Sequence, residues 1–242
     1  LISMAKQKDG FLGEQALVLP PAIVQRMKTD PATSILYITD IGYYPKAYNH
    51  FRERETPIDQ YVFIYCTEGR GWFSLDGQKH PVVPDQYFIL PAGLPHAYGA
   101  DEKEPWTIYW IHFGGTLAPL YCTHRTCRLT DIKPGMHSRI SYRTELFEEI
   151  FRVLKMGYSL ENLSYASSVF HHYLGSLRYL REYREAFSEH RPAGEEDPVN
   201  AAIHYMKENL GKKLTLAELA DYTGYSSSYF SNLYRICPIE LF

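Results

Sequence analysis

TLAELADYTGYSSSYFSNLYR, residues 215–235, is the segment whose spacing dictates a named way of touching another molecule. Small Ala220 lets the second helix cross closely, Gly224 permits the positive φ of a tight turn, and Ser226 can cap that helix by holding a free amide. Leu219, Tyr225, Phe230 and Leu233 fall at the positions a helix-turn-helix must bury. The second helix, near residues 227–235, then turns Ser227, Ser228, Ser231, Asn232 and Arg235 outward, a set suited to base edges and phosphates. A plain helical hairpin packed in a larger domain has the same spacing.

The 242 residues are 45% hydrophobic and 22% charged, an ordinary globular composition with room for one large or two medium domains. A net charge of −3 argues against a protein wrapped in nucleic acid, so any DNA contact must be local. Even residues 199–242 are balanced, with Lys207, Lys212, Lys213 and Arg235 against Glu208, Glu218, Asp221 and Glu240. Cys66, Cys122, Cys127 and Cys237 are too few and too scattered for a disulfide framework. No apolar run approaches the ~18 residues of a membrane span and no signal peptide is visible, so the expectation is a cytoplasmic protein with reduced thiols and no membrane contact. The chain starts at Leu1 rather than Met, so its original N-terminus is expected to have been lost or replaced.

Residues 1–40 carry the breakers Gly10, Gly13, Pro20, Pro21 and Pro31 and read as an arm and a first strand. Residues 41–133 change texture. Short β-branched and aromatic runs at 61–66, 71–75, 79–83, 87–90 and 107–113 recur between Gly, Pro and Asp, the pattern of a sandwich or barrel with a mouth for one small ligand. Asp76-Gly77 between two runs predicts a two-residue hairpin turn. In 134–186, Leu146, Phe147, Ile150, Phe151 and Leu154 recur at helical spacing, as do Ala166, Val169, Phe170, Tyr173, Leu174 and Leu177. These helices connect the barrel to the C-terminal segment, and their second stripe suits either the barrel or a homodimer seam. FSEHRPAGEEDP, residues 187–198, is the best linker, and 199–242 hold the helix-turn-helix. The fold class is therefore α+β.

EGRGWFSLDGQ at 68–78, YFILPAGLPHAYGADEKEPWTIYWIHF at 87–113, a helical connector, a linker and LTLAELADYTGYSSSYFSNLYR occur in an order that resembles the arabinose-operon-regulator (AraC-type) family of transcription factors. The likeness covers nearly the whole chain, and GYYPKAYNHFRER at 42–54 is most similar to its sugar-responsive members. The resemblance implies a cupin-like β-barrel that binds an effector, dimerisation helices and a C-terminal domain of two helix-turn-helix units. It places Arg54, Tyr98 and Trp110 on the sugar and makes His96 the shared cupin histidine. Two departures stand out: Arg235 runs through Ile236 and Cys237 straight to Pro238, a connection shorter than the family's, and the second helix-turn-helix is missing before Phe242. As it stands the chain is expected to bind DNA poorly, because phosphate contacts go with the missing residues.

A metal-dependent cupin enzyme needs several N and O ligands converging on one ion. Pro91-x-Gly93-x-x-His96 supplies one imidazole, but Thr56 and Ile58 stand where the His pair of the first motif would fall. Cys122-x-His124-x-x-Cys127 offers three ligands without a fourth, so neither metal nor cofactor is expected, nor enzyme activity. Sugars want flat aromatic faces with fixed donors and acceptors. Arg54, His96, Tyr98 and Trp110 fit that demand, each with a structural alternative: Trp110 as core, His96 as a satisfied histidine, Arg54 in an ion pair. Tyr43, Tyr44, His50 and His112 are weaker candidates, read as packing or surface. Three readings stay open: an effector-responsive regulator of DNA, a metallocupin enzyme, and a ligand-binding module acting through protein contacts.

Overall fold

The computed structural model describes residues 6–122, 127–132, 138–186, 198–209 and 211–223. It falls into two compact units, residues 1–132 with 146–174 and residues 133–145 with 175–242. The fold is α+β.

In the first unit the chain runs β1 (Gln15–Val18), α1 (Pro21–Thr29), β2 (Tyr37–Tyr44), β3 (Phe51–Arg54), β4 (Tyr61–Glu68), β5 (Gly71–Leu75), β6 (Gln78–Val82), β7 (Gln86–Leu90), β8 (His96–Ala100), β9 (Thr107–Gly114), α2 (Ala118–Tyr121) and β10 (Thr130–Asp131). The strands divide between two antiparallel sheets, one ordered β1-β2-β9-β4-β7-β10 and the other β3-β8-β5-β6. Alternation then assigns every side chain a face. In β4, Val62, Ile64 and Cys66 join Phe73, Phe88, Tyr98 and Ile108 in a core between the sheets. Phe63 and Tyr65, one residue out of step, are also buried. Two helices, α3 (Ile140–Lys155) and α4 (Leu160–Arg178), cover that outer face. The Phe147 ring meets Tyr109 at 4.7 Å, Phe170 meets Phe113 at 5.3 Å, and Tyr173 meets Phe63 at 5.6 Å. A sheet covered on both faces explains why 61–66 and 107–113 read as continuous apolar runs rather than alternating ones.

The β5–β6 turn is as its residues demand: Asp76 and Gly77 have φ of 51° and 73°, and Leu75 pairs with Gln78. In the other direction β5 begins at Gly71 because nothing larger fits. A Cβ there would lie 2.0 Å from the Trp106 ring, which is wholly buried and donates its Nε1–H to His50 Nδ1 at 3.2 Å.

The second unit contains α5 (Leu180–Glu185), α6 (Pro198–Glu208) and α7 (Leu216–Thr223). Ala202 and Tyr205 of α6 and Leu219 and Ala220 of α7 form its small apolar cluster, while the helix near 227–235 that Ala220 is expected to let cross closely lies outside the described residues. Thr215 and Glu218 cap α7 reciprocally: the Glu218 carboxylate accepts from Thr215 N–H at 2.7 Å, and Thr215 Oγ1 accepts from Glu218 N–H at 3.3 Å. Ser227, Ser228, Ser231, Asn232 and Arg235, and the Arg235 to Pro238 connection, lie outside the described residues.

Candidate functional site

The register of three strands builds one row of the site. Gly42 of β2, Trp110 of β9 and Ile64 of β4 lie side by side, and the next row is Asp40, His112 and Val62. Glycine is required at 42, since a Cβ would fall 2.5 Å from the Trp110 ring and 2.7 Å from the Gln15 carbonyl. From the facing sheet, Arg54 pairs with His96 and Arg52 with Tyr98, so all four project to one face. Between the sheets these rows enclose a cavity of about 420 Å³, within the ~300–1,000 Å³ of small-molecule sites.

Of the four expected residues, Arg54, Tyr98 and Trp110 line this cavity. Arg54 Nη1 donates to the Tyr98 hydroxyl at 3.2 Å. His96 is not in its wall; it stacks on Tyr98 with centroids 6.2 Å apart, its Nδ1 2.9 Å from the Leu94 carbonyl. Tyr44, His50 and His112 line the cavity too, whereas Tyr43 belongs to a separate cleft beside Tyr109 and Phe147. Sequence reading passed over Asp40, Arg52 and Gln60 altogether. The period-two spacing of Asp40 with Gly42 and Tyr44, and of Arg52 with Arg54, was the available signal.

The charges of the wall nearly cancel. Arg52 stands 3.6 Å from Asp9, and the Glu14 carboxylate accepts the backbone N–H groups of Gly10 and Phe11 at 2.7 and 2.9 Å. That leaves Arg54 as a cationic donor and Asp40 as an anionic acceptor. Burial pushes the Asp40 carboxyl above its usual range, opposed by the Thr39 hydroxyl at 2.6 Å and the field of Arg54 and Arg52. His112 Nδ1 lies 3.6 Å from Asp40 Oδ2, too long for a hydrogen bond. Burial, with Arg54 and Arg52 adding to it, holds His112 neutral down to about 3, so this pair is not ionic. The indole Nε1–H of Trp110 is buried without an acceptor among the described residues. A buried unmet donor costs ~1–3 kcal/mol, and a bound hydroxyl is the kind of group that relieves it.

Three buried histidines, His50, His96 and His112, make stability depend on pH, each lowered by burial. Burial depresses His50 as well, to about 3. The unfolded chain takes up a proton at each near pH ~6.5 while the folded chain does not, so stability is full above that value and declines as pH falls towards 3. The expected slope is about 1.4 kcal/mol per pH unit for each histidine. Urea midpoints at pH 7, 6 and 5 measure it, and His112→Asn should remove one histidine's share of the slope, about a third; midpoints that do not move with pH would contradict this placement.

A family model described as AraC-like ligand binding domain matches residues 41–174. The chain belongs to that AraC-like family. Its AraC-like region therefore includes β3, β8 and β9, which supply Arg54, Tyr98 and Trp110. The chain is 29% identical to the MmsAB operon regulatory protein of Pseudomonas aeruginosa over 225 residues, 90% of this chain and 69% of that one. It is likewise 29% identical to the raffinose operon transcriptional regulatory protein RafR of Pediococcus pentosaceus over 192 residues, 73% of this chain and 63% of that one. Against the lactose operon transcription activator of Staphylococcus xylosus it is 23% identical over 199 residues, 81% and 67% of the two chains. The AraC-like chain thus spans between 63% and 69% of these relatives' lengths. Among the described residues no three His, Cys, Asp or Glu side chains are grouped to hold a metal ion, and no helix is long and apolar enough to cross a membrane.

Proposed function

We propose that this chain belongs to an effector-responsive transcription regulator that takes a small neutral carbohydrate into the cavity and reads DNA through the helix-turn-helix of residues 215–235. The observation that carries this reading is the wall itself: Trp110 and Tyr98 give aromatic faces, Arg54 a donor and Asp40 an acceptor whose charges offset. A carboxylate ligand would meet Asp40, and an ammonium would meet Arg54. The relatives named for raffinose and lactose operons support a sugar. No enzyme activity is assigned, because those relatives are named as regulators.

The intact regulator acts as a homodimer, with 134–186 connecting sensor to reader. A sugar can change DNA affinity only by binding one arrangement of the dimer more tightly than another. Raffinose, lactose, galactose and glucose are titrated by calorimetry and thermal shift, with Mn²⁺, Ni²⁺ and Zn²⁺ in parallel. A sugar that raises Tm supports the proposal; a response to metal ions alone would turn it into the metallocupin reading.

On the DNA side, Asn232→Ala and Arg235→Ala in the full-length protein should each weaken binding to its own promoter region by about 1–3 kcal/mol, with Tm unchanged. Band-shift titration measures this. Unaltered binding would refute the recognition-helix assignment and favour a module that acts through protein contacts.

A further inference from the structure

Two thiols converge on one backbone oxygen beside strand β7. Cys122 follows α2, and Cys127 begins the short run into β10. Both Sγ atoms donate to the Ile89 carbonyl, at 2.9 Å from Cys122 and 3.1 Å from Cys127. Sulfurs that share one acceptor at 2.9 and 3.1 Å need only a small approach to bond, and only four residues separate them in sequence.

The pair is asymmetric in the way thiol exchange uses. Cys127 is half-buried and can be reached from solvent, whereas Cys122 is 1% exposed. Once Cys127 ionises, the Cys122 S–H can turn from the Ile89 carbonyl to the new thiolate, which holds the Cys127 thiol below its ordinary range and pushes Cys122 up. Cys127 is therefore the sulfur that ionises and attacks, and Cys122 is the one that resolves. Cys66 provides an internal contrast: it is buried, pushed up to about 12 by burial, and directed at the Glu68 carbonyl at 3.3 Å.

We propose that Cys122 and Cys127 are a reversible thiol-oxidation site, closing to an intramolecular disulfide when a small-molecule disulfide such as oxidised glutathione is the oxidant. Cys127 thiolate attacks one sulfur of the oxidant, breaking its S–S bond and releasing one glutathione thiolate. Cys122 thiolate then attacks Cys127 Sγ and expels the second glutathione. Two electrons pass to the oxidant, and the two thiol protons end on the two released glutathiones. Closure removes both S–H donors from the Ile89 carbonyl and ties the end of α2 to the start of the β10 run. In a reducing compartment a disulfide of this sort is transient and reports redox state.

The test uses the whole 242-residue chain carrying Cys237→Ser, exposed to oxidised glutathione and read by intact mass and peptide mapping. The expected product is lighter by two hydrogens, carries no glutathione, contains a 122–127 cross-linked peptide and reverts with dithiothreitol. Cys122→Ser should stop at a stable glutathione adduct on Cys127, and Cys66→Ser should change nothing. A glutathione adduct that persists on Cys127 in the parent chain, or independent alkylation of both cysteines after oxidation, would overturn the proposal. Mapping of the parent chain alone decides the matter if Cys122→Ser fails to fold.

Discussion

Replacing Arg54 with alanine is expected to weaken carbohydrate binding by roughly 10- to 100-fold, the loss of a charge-assisted hydrogen bond worth ~1.5–3 kcal/mol. Arg54 ends an edge strand, is only partly buried, and among the described residues is held by a single hydrogen bond, to Tyr98. Its removal should therefore leave Tm nearly unchanged while affinity falls. Arg54→Lys separates charge from geometry: lysine keeps the positive charge but loses the planar fork, so it should recover only part of the affinity. Trp110 needs a different substitution. At 8% exposure it belongs to the core as well as to the cavity, and alanine there would cost about 3–5 kcal/mol of stability. Trp110→Phe keeps an aromatic face and removes the indole N–H, so it should lower affinity without unfolding the chain. Calorimetry with whichever of raffinose, lactose, galactose or glucose binds the parent chain supplies the measurement. If that sugar binds the Arg54→Ala protein as tightly as the parent, the cavity between the sheets is not where it sits.

The fold was more legible than the site, for a reason that lies in the strands themselves. Runs such as YVFIYC and TIYWIHF are apolar on both faces because helices cover one face of the large sheet and the small sheet covers the other, so they stand out in sequence. Strand β3 does not stand out. Its FRER is polar where it supplies the cavity wall, and only its pairing with β8 shows that Arg52 and Arg54 share a face with Tyr98. Asp40 was hidden for a related reason: it keeps period two with Gly42 and Tyr44, but it follows a register shift after Ile38 and is a lone carboxylate in a mostly apolar run. The resemblance to arabinose-type regulators supplied Arg54, Tyr98 and Trp110 together, and all three line one cavity. His96 came from the same resemblance, yet here it stacks beside Tyr98 on the same strand face instead of lining the cavity. His50 and His112, weighed as packing, are both buried and both in the wall. Chemistry-bearing residues with period-two spacing therefore carried the missing information, and only the strand register makes it readable.

A single methyl group at Gly71 is expected to destabilise the protein more than the loss of the Arg54 side chain. The added Cβ would stand 2.0, 2.4 and 2.5 Å from three atoms of the Trp106 ring. Atoms that close must separate, yet Trp106 is wholly buried and its Nε1–H is committed to His50, while His50 is itself packed against Phe11, Tyr44 and Tyr98. Relief would have to come from moving β5, which pairs with both β6 and β8. Overpacking of this kind costs about 1–3 kcal/mol and more where neither side can yield, so Gly71→Ala should sit at or above the top of that range. Two other glycines isolate the cause. A Cβ at Gly77 would meet nothing within 4 Å, but φ there is 73°, so alanine should cost about 1 kcal/mol through backbone strain alone. Gly175 lies inside α4 with open space and no positive φ, and alanine there should stabilise by about 0.5–1 kcal/mol through helix propensity. Urea unfolding of the three variants should therefore rank them Gly175→Ala above parent, Gly77→Ala modestly below and Gly71→Ala far below. A Gly71→Ala protein as stable as Gly77→Ala would show that the Trp106 ring can move, and with it the His50 side of the cavity wall.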